Sequence, residues 1–170
     1  PAVLAGAVPT ASGFHRHRSV AVPEAVEALA GVLDAVGSAG ATPVVHCCSD
    51  AVPVQVLARA GARALSVDVD RIARSEYDDY AGLLDQGVAL WLGVVPATDP
   101  DPVPRDTDLV QRVQRLLEDL GVDPEPVASR CVVTPACGLS GATPGWARRA
   151  LVLAGRVARH LSGVGGRMSP

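Results

Sequence analysis

The chain has 170 residues, 48% of them hydrophobic and 19% charged, which is typical of a globular domain with a substantial core. Its net charge of −3 argues against nucleic acid or an anionic membrane as a partner. The sequence contains 15 arginines and no lysine. This excludes a catalytic lysine that forms a Schiff base and the phosphate-binding loop that requires a lysine. No apolar run reaches the length of a membrane span, and the first residues lack the pattern of a signal peptide.

Helical and strand patterns alternate along the chain after an irregular start. Apolar residues at helical spacing, bounded by Gly and Pro, predict helices at 23–36, 50–60, 76–85, 106–120 and 146–161, the second with Asp50 as its N-cap. Short apolar runs between them predict strands at 42–46, 64–68, 88–95 and 130–134. This alternation predicts an α/β fold with a parallel sheet and right-handed crossovers. The loop at 96–104, rich in Pro and Asp, is long enough to predict a functional or lid-like role, and the tail at 163–170 is predicted to be disordered.

Four cysteines are present, at positions 47, 48, 131 and 137. Two disulfides would account for the even count, but no secretion signal is present, and adjacent cysteines on a strand point to opposite faces. We therefore expect reduced cysteines in a cytoplasmic protein, with metal-binding or catalytic roles for some of them. Cys131 begins its predicted strand and is expected in the core, and Cys47 is expected to pack behind the sheet.

Metal-competent side chains follow three of the four predicted strands. The first strand ends at His46 and Cys48, the second at Asp68, and the fourth shortly before Cys137. Because the carboxyl ends of parallel strands share one rim, these side chains are expected to converge. One imidazole and two thiolates suit zinc, with a fourth position left for an oxygen ligand or an incoming thiol.

Polar neighbours of these residues are candidates for supporting the ligands. Ser49, Asp50 and Ser66 are predicted to hydrogen-bond to the metal ligands. Asp70 competes with Asp68 for any carboxylate role, because it lies only two residues further on.

Three motifs, in this order, resemble the C-terminal catalytic domain of cobalamin-independent methionine synthase. They are His46-x-Cys48, Leu65-Ser66-Val67-Asp68, and Val133-Thr134-Pro135-Ala136-Cys137-Gly138-Leu139. The resemblance covers roughly residues 40–160. That family has a His-x-Cys motif, a strand that ends in an acid and a late Pro-x-Cys-Gly-Leu motif.

The resemblance implies a (β/α)8 barrel with zinc on His46, Cys48 and Cys137 and an acid ligand at the position of Asp68. It implies methyl transfer from a methyl-tetrahydrofolate-type donor to a thiol such as homocysteine, in methionine biosynthesis, with no catalytic residue assignable beyond the metal ligands. The family usually has Glu where this chain has Asp68. Only four βα units are recognisable, so residues 1–170 are expected to form one domain or fragment equivalent to the C-terminal half of the barrel. The family's Asp-Glu-Pro motif, expected just before Pro1, is not in the sequence.

Two alternatives remain open at this stage. A non-catalytic half-barrel would bind zinc or a partner chain, or associate with itself to cover the open sheet edges. A metal-free barrel similar to the uroporphyrinogen decarboxylases would not need Cys48 or Cys137.

Overall fold

Four parallel strands separated by helices form one sheet in the computed structural model, which describes residue 4 and residues 8–122 and 129–162. The helices are α1 (Val22–Ser38), α2 (Val54–Arg59), α3 (Tyr77–Asp85), α4 (Asp106–Asp119) and α5 (Pro144–Leu161). The strands are β1 (Val44–Cys47), β2 (Ala64–Asp68), β3 (Ala89–Val95) and β4 (Cys131–Pro135). The predicted alternation of helices and strands is confirmed, and the predicted tail at 163–170 lies outside the described residues.

The strands lie side by side in the order in which they occur along the chain, β1-β2-β3-β4. All three pairings are parallel, and the register places His46 beside Ser66, Ser66 beside Trp91, and Asp68 beside Gly93. Sequential parallel strands joined by helices are the arrangement of a βα-barrel, here with four of its units.

Among the described residues, helices cover one face of this sheet, and the other, open face is covered less completely. Leu65, Val67, Leu90 and Leu92, on the covered face, are at most 1% exposed, and each such side chain stabilises the fold by roughly 1.5–3 kcal/mol through burial. The open face carries, among others, Val132, which is 44% exposed. Among the described residues, β1 pairs only with β2 and β4 only with β3, so both outer strands have a free edge.

The start of α2 differs from the prediction. The helix begins at Val54 with Pro53 as its N-cap residue and no side-chain cap, so the prediction of Asp50 as N-cap is wrong. The backbone at Ala51 has a φ of 50°, a left-handed turn that separates Asp50 from the helix axis. The Asp50 carboxylate instead accepts a hydrogen bond from Arg71 at 2.8 Å.

Gly93 permits a close approach of backbones at the end of β3. A Cβ at this position would lie 2.6 Å from the Cα of Ala136 and 2.7 Å from the carbonyl oxygen of Val67. The pairing of β3 with β4 also shifts between Gly93 and Val95. The missing side chain therefore lets the segment after β4, which carries Cys137, pack directly on the ends of β2 and β3.

The loop after β3 is anchored to the start of α5. Thr143 donates to Asp99 from its hydroxyl at 2.6 Å and from its backbone N–H at 2.8 Å. The same hydroxyl accepts from the Trp146 N–H and caps the helix, while the Trp146 indole donates to the carbonyl of Pro96 at 3.0 Å. Any lid-like function of this loop stays a prediction. No described helix combines the length and apolar character needed to cross a membrane.

Candidate metal centre

Three predicted ligands lie close together, although they come from the two edge strands of the sheet or from the residues just after them. His46 lies in β1, Cys48 directly follows it, and Cys137 lies two residues beyond the end of β4. Their ligand atoms all lie within 4.8 Å of one another, and the two sulfur atoms are 3.4 Å apart. Because three strand spacings span about 14 Å in a flat sheet, this contact indicates that the sheet curves around its open face.

Ser66 determines which nitrogen of His46 is free. Its hydroxyl lies 3.0 Å from Nδ1 of the imidazole, and Ser66 itself is only 8% exposed. The parallel register of β1 and β2 produces this contact by placing the two residues side by side. With Nδ1 engaged, Nε2 is the nitrogen available to a metal ion.

The two thiols of the cluster affect each other. A hydrogen bond to Cys137 is the main cause that raises the pKa of Cys48, and burial adds to the effect. Two neighbouring sulfurs therefore disfavour a thiolate at Cys48 as long as no positive charge lies between them. A divalent cation would supply that charge and deprotonate both thiols.

The donor set fits zinc in composition and spacing. Zinc–sulfur bonds are about 2.3 Å and zinc–nitrogen bonds about 2.0 Å, so ligand atoms around a tetrahedral ion lie about 3.3–3.8 Å apart. Two thiolates on such an ion would lie at the upper end of that range, about 3.8 Å apart. The sulfurs of Cys48 and Cys137 are 3.4 Å apart, so they would have to separate by about 0.4 Å to hold the ion. Three protein ligands leave a fourth position open, and the exposure of His46 and Cys137 makes the cluster accessible from solvent.

Asp68 lies outside this group of three residues. Its carboxylate accepts a hydrogen bond from the N–H of Asp70 at 3.0 Å and pairs with Arg71 at 3.5 Å. Burial raises the pKa of Asp68, against the opposite effect of the guanidinium groups of Arg71 and Arg112. Its role as a metal ligand remains a prediction.

The other predicted residues divide into two groups. Ser66 contacts His46, one of the predicted ligands, whereas Ser49 bonds to Cys47 at 3.1 Å and Asp50 bonds to Arg71. Cys47 packs against the hydrophobic core on the helix side, which confirms its expected position. Asp70 pairs with Arg112 and is not in the cluster.

Cys131 also packs against the core, as expected. Burial raises the pKa of its thiol to about 11. This thiol is therefore protonated at physiological pH, and it does not belong to the cluster of His46, Cys48 and Cys137.

Two residues that shape the site were not identified from the sequence. Arg71 joins Asp50 to Asp68 across the rim, and no signal distinguishes it among 15 arginines. Gly93 brings the Cys137 segment into place, and a glycine inside an apolar strand is a usable signal for such a close approach.

A family model described as "Cobalamin-independent synthase, Catalytic domain" matches residues 1–160 of the 170-residue chain. A comparison with curated proteins gives no significant match. The matched range contains all three motifs on which the resemblance was based, so that resemblance is confirmed. The chain belongs to the family of the cobalamin-independent synthase catalytic domain.

Proposed function

We propose that this chain contributes to zinc-dependent methyl transfer from a methyl-tetrahydrofolate-type donor to a thiol such as homocysteine, which forms methionine. The observation that supports the proposal best is the convergence of His46, Cys48 and Cys137 at the carboxyl end of the sheet. Family membership supports the same reaction class. A cytoplasmic location is part of the proposal, since the four cysteines are free and reduced thiols persist there.

Each ligand has a separate part in this reaction. A zinc ion held by this donor set would supply the positive charge that favours the ionised form of an incoming thiol. His46 would bind the ion through Nε2, while Ser66 holds the ring in place through Nδ1. Cys48 and Cys137 would supply two negative charges as thiolates. The open side of the cluster lets the acceptor thiol reach the fourth position, so the chain's main contribution is placement.

Asp68 is proposed as the source of an oxygen ligand or of local negative charge. Its half-buried carboxyl interacts electrostatically with His46, so it lies close enough to affect the charge of the site. To bind the ion directly, the Asp68 carboxylate would have to give up its ion pair with Arg71, in which the nitrogen and oxygen atoms are 3.5 Å apart. A fall in zinc affinity in Asp68→Ala, with none in Asp50→Ala, would support a role of Asp68 at the metal site, and unchanged affinity in both would reject it.

Zinc analysis of the purified chain tests the metal site. We expect one zinc per chain, lost in Cys48→Ala and in Cys137→Ala. Cys47→Ala and Cys131→Ala are matched controls and should keep the metal, because neither sulfur belongs to the cluster. Undiminished zinc content in both ligand variants would reject the site. Formation of methionine from homocysteine and the methyl donor is the corresponding activity assay.

A second candidate function follows from the open face of the sheet. Val132 is exposed there, and β1 and β4 each have one neighbour among the described residues, whereas parallel sheets are normally covered on both faces. The chain would then be a half-barrel that binds zinc, and methyl transfer would need further strands from a partner. A monomer in sedimentation analysis that transfers methyl groups would contradict this. The metal-free decarboxylase-like alternative gains no support from the family match or from the sulfur pair.

A further inference from the structure

The sulfurs of Cys48 and Cys137 form a direct thiol–thiol contact. They lie 3.4 Å apart and come from segments separated by 89 positions in the sequence. A disulfide bond is about 2.0 Å long, so closing it requires the two sulfurs to move together by about 1.4 Å. Both residues lie in loops just beyond strand ends rather than inside strands, where side-chain rotation can supply such a movement.

We propose that Cys48 and Cys137 form a redox modification site, in which a hydroperoxide converts the pair into a reversible disulfide when no metal ion is bound. The selectivity follows from the positions of the other thiols. Cys47 faces the helices and contacts Ser49, and Cys131 packs against the core. Cys137 is exposed, so it is the thiol that a small oxidant meets first.

One molecule of hydrogen peroxide suffices for the oxidation. The Cys137 sulfur attacks one peroxide oxygen, the O–O bond breaks, and hydroxide leaves with the thiol proton as water. The resulting sulfenic acid is then attacked by the Cys48 sulfur, and its hydroxyl leaves with the second thiol proton as another water. Two thiols lose two electrons in total, one peroxide accepts them, and the products are one disulfide and two waters.

The disulfide would have two consequences for the molecule. It would remove two of the three clustered ligands, so that oxidation and metal binding exclude each other. This part rests on the proposed function, whereas the disulfide itself does not. The bond would also connect the end of β1 to the segment after β4 and thereby restrict the unfolded chain over a long loop.

The test treats the metal-free full chain with equimolar hydrogen peroxide. We expect two thiols to be lost in a thiol titration, the mass to fall by two hydrogens, and a peptide map to link Cys48 to Cys137. Dithiothreitol should restore both thiols. The urea midpoint of unfolding should rise on oxidation and return on reduction. Cys47→Ser and Cys131→Ser should behave like the parent chain, while Cys48→Ser and Cys137→Ser should not form the bond.

Three outcomes would overturn the proposal: no linked peptide, a disulfide formed equally well in Cys48→Ser, or covalent dimers as the only product. A parallel sample loaded with zinc separates this inference from the proposed function. Slower oxidation of the zinc-loaded sample would support both the disulfide and the metal site. Equal oxidation rates with and without zinc would leave the disulfide site intact and count against the metal site.

Discussion

The hydroxyl of Ser66 lies 3.0 Å from Nδ1 of His46 and joins the buried strand β2 to the exposed end of β1. The ring of His46 is thereby held by a residue that is itself fixed in the sheet, while its other nitrogen remains free. The imidazole of His46, a predicted metal ligand, is thus oriented by the sheet itself.

Removing the Ser66 hydroxyl should weaken the site without removing a ligand. In Ser66→Ala we expect zinc affinity to fall about 10–100-fold, as is usual when the partner of a ligating histidine is lost. Competition with a chromophoric chelator measures the change. Ser49→Ala is the control, because its hydroxyl bonds to Cys47 and not to a ligand of the cluster. Equal affinity in the parent chain and in Ser66→Ala would show that the contact does not orient the ring.

A methyl group at Gly93 should disturb both the fold and the site. It would meet the Cα of Ala136 at 2.6 Å and the carbonyl of Val67 at 2.7 Å, and these are backbone atoms that cannot rotate away. We expect Gly93→Ala to lower the free energy of unfolding by about 1–3 kcal/mol, measured in urea, and to lower zinc affinity by displacing the Cys137 segment.

The matched control for that substitution is Gly31→Ala. Gly31 lies inside α1, and nothing lies within 4 Å of an added Cβ there. Alanine should stabilise the helix by up to about 1 kcal/mol. If Gly93→Ala and Gly31→Ala had the same free energy of unfolding, the close approach at Gly93 would not affect stability.

Thr143 should contribute to stability through its position at the start of α5. Thr143→Ala removes the helix cap and the hydroxyl that donates to Asp99, and we expect a loss of about 1–2 kcal/mol in urea unfolding. Thr143→Ser keeps the hydroxyl and should retain most of the stability. A serine variant as unstable as the alanine variant would indicate that the threonine methyl group, not the cap, is responsible.

The same contact predicts a pH dependence. Hydrogen bonds from Thr143 hold the pKa of Asp99 below its ordinary value of 3.8. A carboxyl whose pKa is lowered by folding stabilises the native state above 3.8, and this contribution is lost as the pH falls through the native pKa. The stability difference between the parent chain and Asp99→Asn should therefore shrink as the pH falls below about 4. A difference that does not change with pH would contradict it.

Cys131 and Cys137 should differ in reactivity towards iodoacetamide. Burial raises the pKa of Cys131 to about 11, so below that pH its thiol stays protonated in the native state. Near pH 8 we expect the exposed Cys137 to be alkylated first, with Cys131 modified only after unfolding, as followed by peptide mass analysis. The pKa of the same thiol in the unfolded chain is near 9.0. We therefore expect the free energy of unfolding to fall as the pH rises from 9.0 to about 11, because the unfolded state loses the Cys131 proton before the native state does.

The fold was predictable because the local sequence patterns favour the same helices and strands that the tertiary structure contains. Glycines at the ends of helices and apolar runs at the strands predicted the alternation of α1 to α5 with β1 to β4, with errors of a few residues at the ends of the elements. The clearest error was at α2, where Asp50 has the composition of an N-cap, but the turn at Ala51 and the contact with Arg71 place it elsewhere. Such an error is expected where a contact distant in sequence competes with a local signal.

The sequence by itself determined the candidate donor set, since its motifs select one imidazole and two thiols from four histidines and four cysteines. It also determined the strand ends at which His46, Cys48 and Cys137 lie. Only the tertiary structure decided that β1 and β4 curve towards each other, so that sulfurs 89 positions apart come within 3.4 Å. The register shift after Gly93 and the close backbone approach at Gly93 lie at the strand ends near this contact, and both arise from packing between strands.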